Sequence, residues 1–384
     1  MSIALYTLTS WLHQENFPET SVDPFITEIE DAIGEKFVHC GGNFATYGDY
    51  KSNLIYVRTG GTEEIFRALG LSGKIKLLTS GKRNSLAAAM EILSYINERG
   101  GKGEIIHGST EEIAERIKSG FDRKAKKAPK CRMIKDLPSM DFGKARLGVI
   151  GNPSDWLISS DVDYARARKR LGLEIVDIPM SELLEELSGF TGNKRSFKGS
   201  EAIYDALKVL ISKHNLSGLT LRCFDLLDSF CNTGCLALAR LNAEGIPAAC
   251  EGDIPSLISM MIAKKLTGYS GFQANLSRVN GDEFLFAHCT VALNMVTSYT
   301  YDTHFESGLG TAIKGELPLG EATILKVSPD LKKYIAIPAE IIGNQSEPSL
   351  CRTQIIVRAK EAAQYFLTQS LANHHIIVPG RITL

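Results

Sequence analysis

Residues 249–253 read Ala-Cys-Glu-Gly-Asp and stand between an apolar run and a helix predicted over residues 256–266. Two acids placed two residues apart at such a junction suit the end of a strand at the edge of a sheet. Carboxylates in that position can bind a divalent cation or act as acid and base, which makes Glu251 and Asp253 candidate catalytic residues. Taken alone, the pattern is more often that of a helix cap at Asp253, with Pro255 near the first turn.

Upstream of this segment, short apolar runs alternate with helical patterns. Residues 53–57 (NLIYV) predict a strand, and the following Gly-Gly-Thr opens a helix that Thr62 is expected to cap. Residues 84–96 predict another helix. Strands that alternate with helices indicate a mostly parallel sheet covered on both faces. We expect the first unit of this kind to span residues 1–142.

A second α/β unit is predicted over residues 143–268. It begins with the apolar run Arg146–Ile150, which leads into a turn-rich loop containing Trp156. Loops that follow strands in an open parallel sheet carry ligand-binding residues, so Trp156 is a candidate substrate contact.

A basic segment over residues 121–137 lies near the end of the first unit. It is short and has no interleaved aromatic residues, so we interpret it as a solvated linker and not as a nucleic-acid site. Its basic residues include Lys124, Lys126, Lys127, Lys130 and Arg132.

The composition changes after about residue 270. Runs rich in β-branched residues, punctuated by Gly and Pro, predict strands at 323–327, 335–342 and 354–359, with one helix near residues 360–371. Residues 269–384 are therefore expected to form a smaller domain. The predicted fold class is α/β, with two Rossmann-like parallel-sheet domains followed by this mainly antiparallel β domain.

Three polar clusters lie in the C-terminal part. His288 stands in an apolar strand, where a histidine is either a core residue or a ligand. His304 and Glu306 lie in a polar loop that is either a substrate contact or a surface turn. His374 and His375 are adjacent on an extended segment and point to opposite faces, so at most one faces a given site. Because pockets concentrate at domain interfaces, we expect these side chains to meet the acids described above.

Composition narrows the class of protein. The formal net charge of −1 gives no general attraction to nucleic acid or to an anionic membrane. The N-terminal residues lack the features of a secretory signal, and there is no apolar run of membrane-spanning length. The eight cysteines are scattered through apolar stretches, which indicates reduced thiols in a cytoplasmic protein.

Residues 249–253, the helix after them and Thr267-Gly268 resemble the corresponding stretch of L-fucose isomerase and its relative L-arabinose isomerase. Four further segments resemble the C-terminal domain of that family in the same order. They are residues 287–289, 304–308, 351–354 and 373–375.

The resemblance implies a metal site and a reaction. In that family a Mn²⁺ ion is held by a Glu, by an Asp or second Glu, and by a late His, and two carboxylates move protons between C1 and C2 of an open-chain sugar through an enediol. Glu251 matches the first carboxylate and His374 the late histidine, with His375 as the alternative. The second acid is expected 24 residues after Glu251 (275 − 251), where this chain has Asn275.

Asn275 departs from the family pattern. Its amide oxygen can bind a metal but brings no negative charge and cannot act as a proton base. We consider Asp253, Asp282 and Glu283 as acids that replace it.

The leading hypothesis is an aldose–ketose isomerase that uses Mn²⁺ or another divalent cation and acts on a free deoxy-sugar or pentose. The resemblance also implies a homo-oligomer, a trimer or a hexamer. Two alternatives stay open because of Asn275. One is different chemistry on a sugar derivative, and the other is a sugar-binding relative without catalysis.

Overall fold

The computed structural model describes residues 3–13, 23–120 and 131–384. Most of the predicted basic linker, including Lys124, Lys126, Lys127 and Lys130, lies outside the described residues. The described chain forms two parallel sheets, one antiparallel sheet and a two-stranded ribbon.

The first sheet has five parallel strands in the order β2-β1-β3-β4-β5. Three helices connect strands of this sheet and a fourth follows its last strand, in keeping with the alternating sequence pattern. The strands are β1 (Ile3–Leu8), β2 (Val38–Gly41), β3 (Ser52–Val57), β4 (Lys74–Thr79) and β5 (Lys102–Ile106). The helices are α1 (Pro24–Ile33), α2 (Glu63–Leu69), α3 (Ser85–Glu98) and α4 (Thr110–Lys118).

Caps set the ends of several of these helices. The Asp23 side chain accepts a hydrogen bond from the Phe25 amide, and Gly34 ends α1 in the left-handed conformation. The predicted cap at Thr62 is wrong, because its hydroxyl donates to the Thr59 carbonyl oxygen at 3.1 Å and not to the helix. Helix α2 therefore starts without a side-chain cap from the residue before it.

The second sheet has four parallel strands in the order β10-β9-β7-β8. A short strand, β6 (Lys135–Asp136), precedes it. The strands are β7 (Arg146–Ile150), β8 (Glu174–Ile178), β9 (Gly218–Leu221) and β10 (Ala248–Cys250). The helices are α5 (Tyr164–Leu171), α6 (Met180–Leu187), α7 (Phe197–His214), α8 (Asp225–Phe230), α9 (Cys235–Ala243) and α10 (Ile254–Thr267).

The C-terminal part forms a closed antiparallel sheet. Its six long strands run in the order β15-β18-β11-β12-β17-β16, and β16 also pairs with β15, which closes the ring into a barrel. The elements are β11 (Phe272–Asn280), β12 (Glu283–His288), the ribbon β13 (Ser298–Asp302) and β14 (Ala312–Glu316), β15 (Gly320–Val327), β16 (Lys333–Gln345), β17 (Thr353–Arg358), α11 (Ala363–Thr368) and β18 (His375–Pro379).

The barrel packs against both parallel sheets. Helix α3 of the first unit contacts β11, and helix α10 of the second unit contacts β15 and β18. The largest buried core accordingly joins residues of the first sheet, such as Ile55, to barrel residues such as Phe286. This packing brings the ends of the parallel strands next to the barrel.

The predicted combination of parallel sheets with an antiparallel sheet is confirmed. The domain limits at residues 142 and 268 stay predictions. Strand β6 belongs to the predicted first domain but pairs with β16 of the barrel. None of the described helices is long and apolar enough to cross a membrane.

Candidate active site

A cavity of about 480 Å³ lies where the two parallel sheets meet the barrel. This volume counts all the space between the lining atoms, including the part that is open to solvent. Much of its wall comes from residues that follow the carboxyl ends of parallel strands, which is the usual ligand position in such sheets. The acidic, aromatic and amide side chains that line the cavity include Glu63, Trp156, Phe224, Glu251, Asn275 and Glu306.

Glu251 stands at a constrained turn after β10. Its φ is +65°, a left-handed conformation that is uncommon for a residue other than glycine. The turn is fixed by hydrogen bonds from the Ser154 amide to the Glu251 carbonyl oxygen (3.0 Å) and from the Gly252 amide to the Leu221 carbonyl oxygen (3.1 Å). Such strain persists where the surroundings impose it, and it is common at functional sites.

The Glu251 carboxylate contacts three rings. Its Oε2 accepts a hydrogen bond from Trp156 Nε1 at 2.6 Å. Its Oε1 lies 3.5 Å from His374 Nε2 and 3.9 Å from His288 Nε2. Burial raises the pKa of the Glu251 carboxyl, but His374 and His288 outweigh it and hold that pKa well below its usual value. Glu251 is therefore ionised.

His374 is oriented by Asp253. The His374 ring is fully buried, and its Nδ1 donates to Asp253 Oδ2 at 2.9 Å. Its Nε2 faces Glu251 and has no hydrogen-bond partner. Burial opposes the protonated ring, but Glu251 and Asp253 raise the pKa of His374 to about 9. A histidine that donates one ring nitrogen to a carboxylate and presents the other is the arrangement of many metal ligands.

Asp253 caps helix α10. Its Oδ1 accepts from the Ser256 amide at 2.7 Å, and its Oδ2 also accepts from the Ser256 hydroxyl and lies 3.5 Å from Lys326 Nζ. Asp253 and Lys326 have no exposed surface. Geometry thus favours the helix-cap interpretation over the predicted catalytic role, because Asp253 lies behind His374 and its oxygens are occupied.

Asn275 meets Glu251 in the cavity wall. It lies on β11, is 3% exposed, and its Oδ1 has no hydrogen-bond partner. Glu251 thus shares the cavity wall with Asn275 and lies 3.5 Å from His374 Nε2, and both Asn275 and His374 present a buried atom without a partner. Cys250, Glu251 and His288 form a second group in the described chain, with ligand atoms within 4.8 Å of one another.

Two predicted substrate contacts do not reach the cavity. His375 points to the opposite face of β18, where its Nε2 accepts from the Tyr365 hydroxyl (2.8 Å) and its Nδ1 donates to the Asn373 carbonyl oxygen (2.9 Å). Burial lowers the pKa of His375 to about 3. His304 lies behind Phe224, with 5.4 Å between ring centroids. Neither ring is among the described residues that line the cavity, so a role of His304 or His375 in substrate binding stays a prediction.

The acids proposed to replace Asn275 are also elsewhere. Asp282 lies at the β11–β12 turn and accepts from the Glu361 amide at 3.0 Å. Glu283 pairs with Arg358 at 2.9 Å on the exposed side of the barrel.

Two other acids line the cavity. Glu306, predicted as a substrate contact, accepts from Asn84 Nδ2 at 2.9 Å, and burial with the charge of Glu251 raises its pKa to about 7. Glu63, which the sequence interpretation passed over, is 1% exposed. Its position directly after the Gly-Gly-Thr loop that follows β3 is the signal that could have found it.

Comparison with known proteins gives partial matches. A stretch of 137 residues, 34% of this chain, is 28% identical to a sulfoquinovose isomerase of Alkalicoccus urumqiensis and covers 31% of it. A stretch of 172 residues, 42% of this chain, is 26% identical to a sulfoquinovose isomerase of Clostridium sp. (strain MSTE9) and covers 38% of it. The chain thus spans about a third of the length of the curated relatives it matches. No family model matches the chain. Both relatives are sugar isomerases by name, which is the broad class that the residues around Glu251 indicate.

Proposed function

We propose that this chain is a metal-dependent aldose–ketose isomerase that acts on a free sugar through an enediol. The observation that carries the proposal is that Glu251 and Asn275 line one cavity while His374 Nε2 lies 3.5 Å from Glu251 Oε1, with Asn275 Oδ1 and His374 Nε2 both buried without partners. The resemblance to L-fucose isomerase and the names of the two relatives point to the same class.

The donor set fits a divalent cation. A carboxylate oxygen, an amide oxygen and an imidazole nitrogen are ligands that suit Mn²⁺. Buried polar atoms are normally paired, so the two unpaired atoms beside an ionised carboxylate fit a bound cation. Such an ion would polarise two oxygens of the sugar and lower the energy of the developing oxyanion.

The chain's own residues supply orientation and a base. Trp156 and the strained turn fix the Glu251 carboxylate, which is ionised and can take a proton from the carbon next to the sugar carbonyl. Asp253 acts as a positioning residue, because its ionised oxygen sets the ring orientation of His374.

An uncharged sugar suits the described wall of the cavity. Three of the described residues that line it are acids, Glu63, Glu251 and Glu306, and none is Lys or Arg. A sulfonated sugar would place negative charge among these acids. We therefore propose a free deoxy-sugar or pentose as the substrate, although both relatives are named for sulfoquinovose.

The test combines metal content with a sugar panel. We expect the native protein to contain a divalent cation and to interconvert a deoxy-sugar or a pentose with its ketose. The Glu251→Gln variant should lose both properties, whereas Glu186→Gln, an exposed acid on α6, should keep them. Failure to convert any sugar of a broad panel, sulfoquinovose included, would overturn the proposal.

Asn275 favours a second candidate, a relative that binds sugar without isomerising it, since an amide removes one charge and one proton base. Asn275→Asp decides whether this position belongs to a metal site. The added carboxylate should raise Mn²⁺ affinity by at least about tenfold, because a nearby opposite charge is worth several kcal/mol at short range. Asn294→Asp, at an exposed position, is the control. Equal affinities in the two variants, measured by calorimetry, would remove Asn275 from the site.

The resemblance also carries a proposal about assembly. We propose that the chain forms a homo-oligomer, a trimer or a hexamer, in the cytoplasm. Molar mass measured by light scattering on the full chain is the direct check, and a monomeric mass at working concentrations would contradict it.

A further inference from the structure

The side chain of Glu63 is a buried carboxyl with one free oxygen in the wall of the same cavity. Glu63 is the first residue of α2 and is 1% exposed. It lines the cavity together with Glu251, and its Oε2 has no hydrogen-bond partner. A buried carboxyl oxygen without a hydrogen bond costs free energy. Its presence beside a ligand cavity therefore indicates that the ligand supplies the hydrogen-bond partner.

We propose that Glu63 is the catalytic residue that exchanges a proton with the sugar oxygens, in place of the carboxylate missing at Asn275. This inference rests on the isomerase function proposed above. It assigns the second acid of the reaction to the first parallel sheet, whereas the resemblance places that acid on the barrel.

The other acids near the site are already engaged. Glu306 Oε1 accepts from Asn84. Glu91 accepts from the Ser159 amide with one oxygen and from the Asn373 amide with the other. Among the acids of the described chain that line the cavity, Glu63 alone has a carboxyl oxygen that is both buried and without a partner.

Glu63 opens helix α2, so its carboxyl lies near the amino-terminal end of that helix, and its Oε2 is buried without a partner. Burial raises the pKa of Glu63 well above its usual value, and the charges of Glu91 on α3 and Glu251 after β10 raise it further. Two carboxyls with pKa values displaced in opposite directions are the arrangement expected of an acid and a base.

The proton balance of the reaction closes with these two residues. Glu251 takes the proton from C2, and the electron pair of that C–H bond forms the C1=C2 double bond. The electron pair of the C1 carbonyl π bond moves to O1, which takes a proton from Glu63. The enediol then returns one proton from O2 to Glu63, and the O–H pair forms the C2 carbonyl. The electron pair of the C1=C2 double bond takes the proton held by Glu251, which forms the new C–H bond at C1. Both carboxyls thereby regain their starting states.

The experiment compares three variants of the full chain. Glu63→Gln keeps the size of the side chain but cannot exchange a proton, and Glu63→Asp keeps the acid but withdraws it by one methylene. Glu64→Gln is the matched control, because the neighbouring Glu64 is exposed and pairs with Arg67. Turnover is measured on the sugar that the wild type converts, and infrared difference spectra record protonated carboxyl groups without substrate.

We expect Glu63→Gln to lower kcat by roughly 10²–10⁴, while Glu64→Gln stays within about twofold of wild type. The wild-type spectrum should contain a protonated-carboxyl band that is absent from the spectrum of Glu63→Gln and present in that of Glu64→Gln. Glu63→Asp should retain the band but not the rate.

The outcomes separate the two proposals. A wild type that converts no sugar removes the isomerase function and this inference with it. A wild type that is active, with Glu63→Gln within about fivefold of it or without the loss of a carboxyl band, overturns the role of Glu63 alone. Should Glu63→Gln fail to fold, an Asp variant that retains the full rate would also overturn it.

Discussion

At the scale of single residues, the site depends on a turn that few side chains can adopt. Glu251 and Gly252 both have positive φ, +65° and +71°. A Cβ on Gly252 would lie 2.5 Å from the Asn152 carbonyl oxygen and 2.6 Å from Pro153 Cα, both rigid backbone atoms. The loop that carries Trp156 therefore packs directly against the turn that carries Glu251.

Gly252→Ala should consequently destabilise the fold and displace Glu251. The left-handed backbone alone costs about 1–2 kcal/mol for a residue with a Cβ, and the two backbone contacts add to it. Gly268→Ala is the control, because Gly268 has φ +84° but nothing within 4 Å of its Cβ position. Urea unfolding should show a clearly larger loss for Gly252→Ala, and equal losses would mean that the two loops separate easily.

Glu306 should make stability depend on pH. Its pKa rises from 4.5 to about 7 in the folded protein, so the folded state keeps this proton over a range in which the unfolded chain loses it. Folded stability should therefore fall as pH increases from about 4.5 to about 7, by up to about 3 kcal/mol.

Glu306→Gln tests this dependence, because the amide oxygen can still accept from Asn84. The variant should match the wild type near pH 4.5 and be the more stable protein above pH 7, as measured by urea unfolding at a series of pH values. A variant less stable than wild type at both ends would show that the carboxylate itself stabilises the fold.

At the scale of elements, the sequence predicted those with a clear period and missed those without one. The amphipathic pattern of α1 indicates a helix, and the apolar runs of β3 and β7 indicate strands. Strand β2 is short and partly exposed, and α5 buries only Ala167 and Leu171, so neither has a strong pattern. The barrel was predicted only as antiparallel strands, because its closure depends on the pairing of β15 with β16 and β18, which no local pattern records.

The same limit applies to the site. Glu251 and His374 were predictable from a resemblance to motifs, and the opposite orientation of His374 and His375 follows from strand geometry. Glu63 was not predicted, because its sequence surroundings fit an ordinary acidic first turn of a helix. Only the three-dimensional structure shows that Glu63 and Glu251 line the same cavity.

Helix α10 offers a test at this scale, because its cap is also part of a buried charge cluster. Asp253→Ala should cost about 3–5 kcal/mol, since it leaves Lys326 buried without its carboxylate. Asp163→Ala removes an exposed cap of the same type from α5 and should cost only about 1 kcal/mol. The difference between the two unfolding free energies measures the buried cluster, and similar values would show that capping alone accounts for Asp253.

At the scale of the whole molecule, the cavity is lined by residues from all three sheets. Glu63 comes from the first parallel sheet, Glu251 and Trp156 from the second, and Asn275 from the barrel. Glu91 of α3 links these parts, because it accepts hydrogen bonds from Ser159 and Asn373. A change in how the sheets sit against the barrel would therefore alter the distances between the catalytic groups, without any change in the residues themselves.

The closed barrel has a consequence for the lifetime of the site. Strand β18, which follows His374, pairs with β11 on one side and β15 on the other, so its amides have no edge from which to fray. Opening this strand requires the ring itself to break. His374, which directly precedes β18, should therefore keep its position for as long as the protein is folded. The amide protons of β18 should be among the slowest in the molecule to exchange with deuterium.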